Sequence, residues 1–248
     1  MSHLLSVGEW FEGVKATFIL NFITGDRWKL IWGGFVSTLK ITIGAMLLGI
    51  MIGIVLATVR ATYDLTRDEM RSGAGRKVLG FFNFLAKVYL TVIRGTPVVL
   101  QLLIIYFIIF ASSDNGVMVA ALAFGINSGA YVAEIIRGGI MSIDRGQMEA
   151  GRSLGFNYFQ TMRYIIIPQA FKNVLPSLAN EFIALLKETS VSGYVAVQDL
   201  TRAGNVIRSK TFSPFMPLVG VALIYLAMVM VLTYLVGILE RRLRNSDR

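Results

Sequence analysis

Polar and ionisable side chains sit where an otherwise apolar sequence should exclude them. Asn127, Ser128, Tyr131 and Glu134 fall within the run 116–141, and Glu181, Lys187, Glu188, Thr189 and Ser190 fall within 174–194. Such groups are costly in hydrocarbon, so they face a pore or a partner. The spacing of Asn127, Tyr131 and Glu134 places all three on one helix face. A zwitterionic ligand would use a set of this kind. A carboxylate of Glu134, Glu181 or Glu188 meets its ammonium or a cationic side chain, while hydroxyls, amides and backbone N–H groups meet its carboxylate. A structural reading stands beside this one: Glu134 pairs with Arg137 or Lys187 and holds the bundle together, and Glu188 neutralises Lys187.

The same inventory excludes most catalysis. The chain has no cysteine and one histidine, His3. Disulfides, thiolate chemistry, an imidazole base and a zinc site of the usual kind are therefore out of reach, and no metal ligands are assigned. The stretch Gly73-Ala74-Gly75-Arg76-Lys77 has the composition of a phosphate loop but lacks its spacing and the strand that precedes one.

Long apolar elements must position these groups. Of 248 residues, 55% are hydrophobic and only 16% charged, with mean hydropathy +0.64. A soluble domain carries about 25% charged residues, so the chain reads as an all-α membrane protein. Runs long enough to span predict five transmembrane helices at about 31–59, 91–112, 116–141, 174–194 and 215–239. Pro97 sits at the helical start of the second, where its missing N–H costs nothing. Gly49, Gly53 and Ala57, four apart, form a small-residue stripe for close helix approach.

The formal charge of +9 is distributed by topology. Sixteen Lys and Arg lie between spans one and two, between three and four, or after span five, against six in the remaining connections. The bias places those sixteen in the cytoplasm, with the N-terminus outside and the C-terminus inside, and leaves no compact basic face for nucleic acid. Residues 1–30 form an external segment in which 10–23 is an amphipathic interfacial helix. Residues 31–243 form the membrane domain, and 244–248 a cytoplasmic tail.

The loop 142–172 is too long and too patterned to be a mere connection. Asp144 is placed to cap a short helix ending at Gly155, a left-handed position. Asn157 is placed to cap a second helix in which Phe159, Met162 and Ile166 share a face. Two short structured helices exposed in the cytoplasm suit a docking surface; a loop packed on its own helix ends is the alternative.

At these residues the chain resembles the inner-membrane permeases of bacterial ABC importers. Their cytoplasmic signature is matched in spacing by Glu149-Ala150-Gly151, Gly155 and Ile165-Ile166-Ile167-Pro168, with Gly151 in place of Ala and Ile167 in place of Leu. Gly151 is expected to loosen the helix. Arg94-Gly95-Thr96-Pro97-Val98-Val99-Leu100-Gln101, the run from Gly129 to Gly139 and the run from Asn180 to Ser190 are similar to the branch that carries polar amino acids, as in histidine, glutamine and arginine importers. The resemblance covers about 28–243. It implies the type I importer permease fold, a partner permease (a second copy or a homologue), two ATP-binding subunits that hold ATP and Mg²⁺, and an external substrate-binding protein. This chain itself would bind no cofactor and catalyse no hydrolysis. Glu149, Ala150, Gly151, Gly155, Ile165 and Pro168 would couple it to the ATPase in a bacterial inner membrane. A self-sufficient secondary transporter would show more spans or a repeat, and an intramembrane enzyme would need a catalytic constellation that is missing.

Overall fold

The computed structural model describes residues 7–67 and 73–245. His3, the last residues of the tail (246–248) and 68–72 of the first connection lie outside the described residues. Among the described residues every regular element is helical. The elements are α1 (Val7–Phe18), α2 (Trp28–Thr66), α3 (Ala74–Gly95), α4 (Val98–Ile104), α5 (Gly116–Met141), α6 (Arg145–Ser153), α7 (Tyr158–Thr161), α8 (Ile167–Glu188), α9 (Leu200–Thr211) and α10 (Phe215–Asn245). Helices are what an apolar chain must form in lipid, because each satisfies its own backbone.

Four helices are long and apolar enough to cross a membrane: α2, α3, α5 and α10 over Phe215–Leu243. Three of the five expected segments fall on α2, α5 and α10; α3, expected to be part of a connection, is the fourth long apolar helix, and the other two segments differ. The segment 91–112 is interrupted, its first residues closing α3 and the rest forming the short apolar helix 98–109. Thr96 is extended (φ −118, ψ 144), as the residue before a proline tends to be, and Pro97 caps α4. The segment 174–194 begins earlier, in α8 at Ile167, and leaves the α-helix at Glu188 for a 3₁₀ turn, Thr189–Val195.

Close packing of α2 on α5 organises the bundle. A Cβ on Gly49 would stand 3.2 Å from the Ser128 side chain, and one on Gly53 only 2.4 Å from Val132. In return, Cβ atoms on Gly125 and Gly129 would meet Leu48 and Ile52 at 2.8 Å. Numbers rise together on both sides, so the helices run parallel, and the small-residue stripe of α2 is met by a second one on α5. Ile41, Ala45, Leu102, Val119, Phe124 and Leu185 fill the adjoining core, closed by Val195 and Val197 from the turn after α8.

The N-terminal segment is fastened to the far end of the chain. Helix α1, with Trp10 and Phe11 exposed, passes through a π-helical turn at Ile19–Ile23. There Asn21, fully buried, donates to Ser213 Oγ (3.3 Å) and accepts from Thr211 Oγ1 (2.7 Å) at the junction of α9 and α10.

Candidate functional site: a docking module and a mid-span polar layer

Capping chemistry shapes the two-helix module of 144–166, the candidate docking surface. Asp144 opens α6 by accepting from Gly146 N (2.7 Å). Gly155 closes it at φ +82, with Gly155 N donating to Arg152 O (2.8 Å) and Phe156 N to Gly151 O (3.0 Å). That pair of bonds is the Schellman stop, which requires a left-handed residue where glycine stands. Asn157 and Gln160 form a reciprocal capping box at the head of α7. Pro168, near the start of α8, has no N–H to offer the preceding turn, and the chain widens to a π-helical turn over Met162–Ile166.

That turn alters one expectation. Phe159, Met162 and Ile166 do not share a face: Ile166 is buried (4% exposed) and Phe159 projects outward (80%). One extra residue per turn shifts the phase by about 100° and separates them. Gly151 has a further role that its reading lacked: it lets the helix press on Thr161 and Ile165, which a Cβ would meet at 2.6 and 3.2 Å. Glu149, Ala150 and Pro168 are exposed, Ile165 is half-buried, and Leu154 and Tyr164 join Phe159 as large exposed apolar groups. A cleft of about 270 Å³ separates α6 from the end of α2, lined by Asp64, Asp144, Arg145, Glu149 and Arg152. Tyr158 bridges to α2 by donating to Thr62 Oγ1 (3.3 Å), and burial pushes its phenol pKa up, so it stays protonated.

The helices that carry the module also anchor it. Glu134 accepts from Arg137 Nη2 (3.1 Å) and lies 3.9 Å from Arg60 of α2, while Arg137 reaches Asp64 (3.2 Å). Glu134 is thus engaged by Arg137 and Arg60, and this charged cluster ties α5 to the end of α2 beside the module.

A different set occupies the middle of α5. Pro97 interrupts the helix and leaves carbonyls without partners in an apolar surrounding. Gln101 supplies them: its Nε2 donates to Ile93 O (2.8 Å), Thr96 O (3.2 Å) and Thr96 Oγ1 (2.7 Å). Its Oε1 accepts from Asn127 Nδ2 (2.9 Å), so the broken helix is locked to α5. Next to it, Ser128 donates to Glu181 Oε1 (2.8 Å) on α8. One turn on, the Arg94 guanidinium lies 5.6 Å from the ring centre of Tyr131.

The sequence-derived residues therefore fall into three places. Asn127, Ser128, Tyr131 and Glu181 come together at mid-helix. Glu134 belongs to the charged cluster beside the module. Glu188, Thr189 and Ser190 sit about 10 Å beyond Glu181 along α8. There Glu188 is exposed, Ser190 half-buried, and Thr189 turned into the core, its Oγ1 donating to Leu186 O (2.8 Å). Gln101 escapes the sequence reading as a site residue. A lone glutamine four residues after a proline in an apolar run is its available signal.

Comparison with known proteins gives these features a common setting. Residues 72–245 match the family model described as the binding-protein-dependent transport system inner membrane component. The chain is 39% identical over 67% of its length to the arginine transport system permease protein ArtQ of Bacillus subtilis, covering 77% of that protein. It is 35% identical to the glutamine transport system permease protein GlnP of Escherichia coli, over 88% of this chain and 97% of that one. Among solved structures, an amino acid ABC transporter crystallised with histidines superposes with TM-score 0.76 at 38% identity, over 94% of this chain and 97% of the other. The pair of short helices between α5 and α8, on a bundle of this shape, belongs with that ancestry: the chain belongs to the family of binding-protein-dependent transport system inner membrane components.

Proposed function

We propose that this chain is the membrane-spanning permease of an ATP-driven importer and that it carries a polar amino acid into a bacterial cell. The observation that carries the reading is the docking module. A capped helix of nine residues exposes Leu154 and, through the following turn, Phe159 and Tyr164, yet it is held rigidly by Gly151, Tyr158 and the Glu134–Arg137 cluster. Large apolar groups displayed on an otherwise polar element suit a protein partner. The names borne by the relatives favour a polar amino acid as cargo.

In this reading α6 seats in a groove of an ATP-binding subunit, with Glu149, Ala150, Gly151, Gly155, Ile165 and Pro168 shaping the contact. ATP and Mg²⁺ belong to that partner, and this chain performs no hydrolysis. Two ATPases serve two permeases, and an external binding protein delivers the cargo. Even with Arg94 set apart beside Tyr131, the excess of basic residues in the connections favours the module and C-terminus in the cytoplasm and α1 on the outer face. The mid-span layer of Asn127, Ser128, Tyr131 and Glu181 lies on the route, with Glu188 and Ser190 nearer the outer mouth.

The test is reconstitution. Vesicles holding this chain with a partner ATPase and binding protein should take up arginine or glutamine only when ATP is supplied. Uptake by this chain alone, driven by an ion gradient, would overturn the reading.

A further inference from the structure

Among the described residues, Arg94 is an arginine beside the middle of α5 with no acidic partner. It closes α3 at the Pro97 break and is exposed. Its neighbour across the gap, Tyr131, is on α5, a helix of 26 residues. At 1.5 Å per residue Tyr131 lies about 22 Å from one end of α5 and about 15 Å from the other, well inside a hydrocarbon layer of about 30 Å. A guanidinium cannot be left bare against lipid at such a depth; it faces water, a ligand or a partner. The other membrane arginines here are answered: Arg60 by Glu134, and Arg137 by Glu134 and Asp64. No carboxylate among the described residues lies within ion-pair distance of Arg94, and its close contact is the Tyr131 ring.

The opposite charge is one turn away. Glu181 is held by Ser128, three residues before Tyr131 and so about 4.5 Å along the axis. An acid and an unpaired base, each fastened to the same face region of α5 but not to each other, frame a site for a molecule carrying both charges. We infer that Arg94 receives the α-carboxylate of the transported molecule, with Glu181 facing its positive group. The Tyr131 ring holds the guanidinium by a cation–π contact at 5.6 Å, and a guanidinium suits two-pronged binding of a carboxylate. The Gln101 lock has a purpose in this scheme, since it holds the broken end of α3, and Arg94 with it, at a set position against α5.

This assignment rests on the transport reading above and is testable apart from it. The probe is equilibrium binding of labelled L-arginine and L-glutamine to the purified permease–ATPase complex without binding protein. Each is compared with its decarboxylated counterpart, agmatine or γ-aminobutyramide. The intact complex should prefer the amino acid by roughly tenfold or more, the usual worth of a hydrogen bond to a charged group. Arg94→Gln should erase that preference by weakening the amino acid alone, and Arg94→Lys should restore part of it. Equal loss for amino acid and amine in Arg94→Gln would return the residue to a structural role and overturn the inference. So would an intact complex that binds agmatine as tightly as arginine, a result that needs no variant. A complex that imports amino acids yet fails these comparisons refutes the assignment alone. One that imports none refutes the transport reading, and the assignment falls with it.

Discussion

Substituting Gly139 by Ala tests whether the docking module is anchored rigidly where it leaves the membrane. A Cβ at Gly139 on α5 would stand 2.1 Å from Val174 Cγ2 on α8, with the next atoms, Val174 Cβ and Ala170 O, at 3.5 Å. Carbon atoms pack at about 3.5–4.0 Å, so the overlap exceeds an ångström and falls on one methyl group. Overpacking of that kind costs about 1–3 kcal/mol, partly offset by the roughly 1 kcal/mol that a helix gains on replacing Gly with Ala. Val174 is 6% exposed, so Val174→Ala alone leaves a cavity and costs about 0.8 kcal/mol per methylene removed, plus a cavity contribution. In the double variant the new methyl occupies the vacated space and its nearest neighbours become the 3.5 Å contacts. The two substitutions should therefore be non-additive, with a favourable coupling of about 1–3 kcal/mol. Thermal melts of the detergent-solubilised permease should show Gly139→Ala several degrees below wild type, at about 2–4 °C per kcal/mol for a chain of this size, and the double variant above it. Coupling should follow: Gly139→Ala is expected to raise ATP consumed per molecule imported, and Val174→Ala added to it should bring the ratio back. Purely additive losses in melting temperature would refute the proposed contact between α5 and α8.

Three further outcomes follow from named atoms. Gly155 is left-handed but has open space around a Cβ, so its substitution is a purely conformational cost of about 1–2 kcal/mol. ATPase retained on purification should fall in the order Asn, Ala, Val at that position, with Gly155→Val still inserted but unable to drive transport, and equal retention of all three would contradict the Schellman stop. Gln101→Leu strips partners from Ile93 and Thr96 carbonyls and from Asn127, at about 1–3 kcal/mol for each buried group left unmet; a melting temperature equal to wild type would show that the break does not depend on it. Asp199, between α8 and α10, is fully buried, with Oδ1 accepting from Arg202 N (2.7 Å) and Oδ2 without a hydrogen-bond partner. Burial pushes its carboxyl from 3.8 to about 6, so the folded state holds a proton that the unfolded chain releases, and stability should fall as pH rises from about 4 to about 6. Asp199→Asn should flatten that slope, and an unchanged pH profile of melting would contradict the shift.

Features set by neighbours along the chain are legible in the residues alone. Asp144, Gly155 and Asn157 act within a turn of their own positions, and each caps or stops the helix expected of it. The stripe of Gly49, Gly53 and Ala57 is legible because spacing of four is a local property, although its partner, the Gly125–Gly129 face of α5, emerges only in three dimensions. Helix α3 is hidden for a different reason. Arg76, Lys77 and Lys87 dilute its apolar residues, so its best window reaches a mean hydropathy of 1.3 against 2.4 in α2 and 2.5 in α10, and its polar start reads as part of a connection.

The misplaced side chains have a shared cause. Facing follows from a uniform period of 3.6 only where the helix keeps that period, and the chain departs from it at several of the points where a face matters. The π-helical turn at Met162–Ile166 carries Phe159 away from Ile166. The 3₁₀ turn after Glu188 tightens the winding, and Thr189, whose hydroxyl suits a ligand, instead donates to Leu186 O inside the core. The break at Pro97 ends α3 on Arg94 and sends Gln101 back to close the gap. The departures at Met162–Ile166 and at Pro97 each lie beside a proline that cannot continue an ordinary helix. The break at Pro97 also costs backbone hydrogen bonds, which Gln101 recovers. In a membrane such repairs have no water to fall back on. The polar side chains that make them are therefore fixed in place, and a fixed polar side chain at mid-depth is the raw material of a translocation site. At Pro97 the interruption that defeats periodicity also fixes Gln101 and, through it, Asn127 of the mid-span layer.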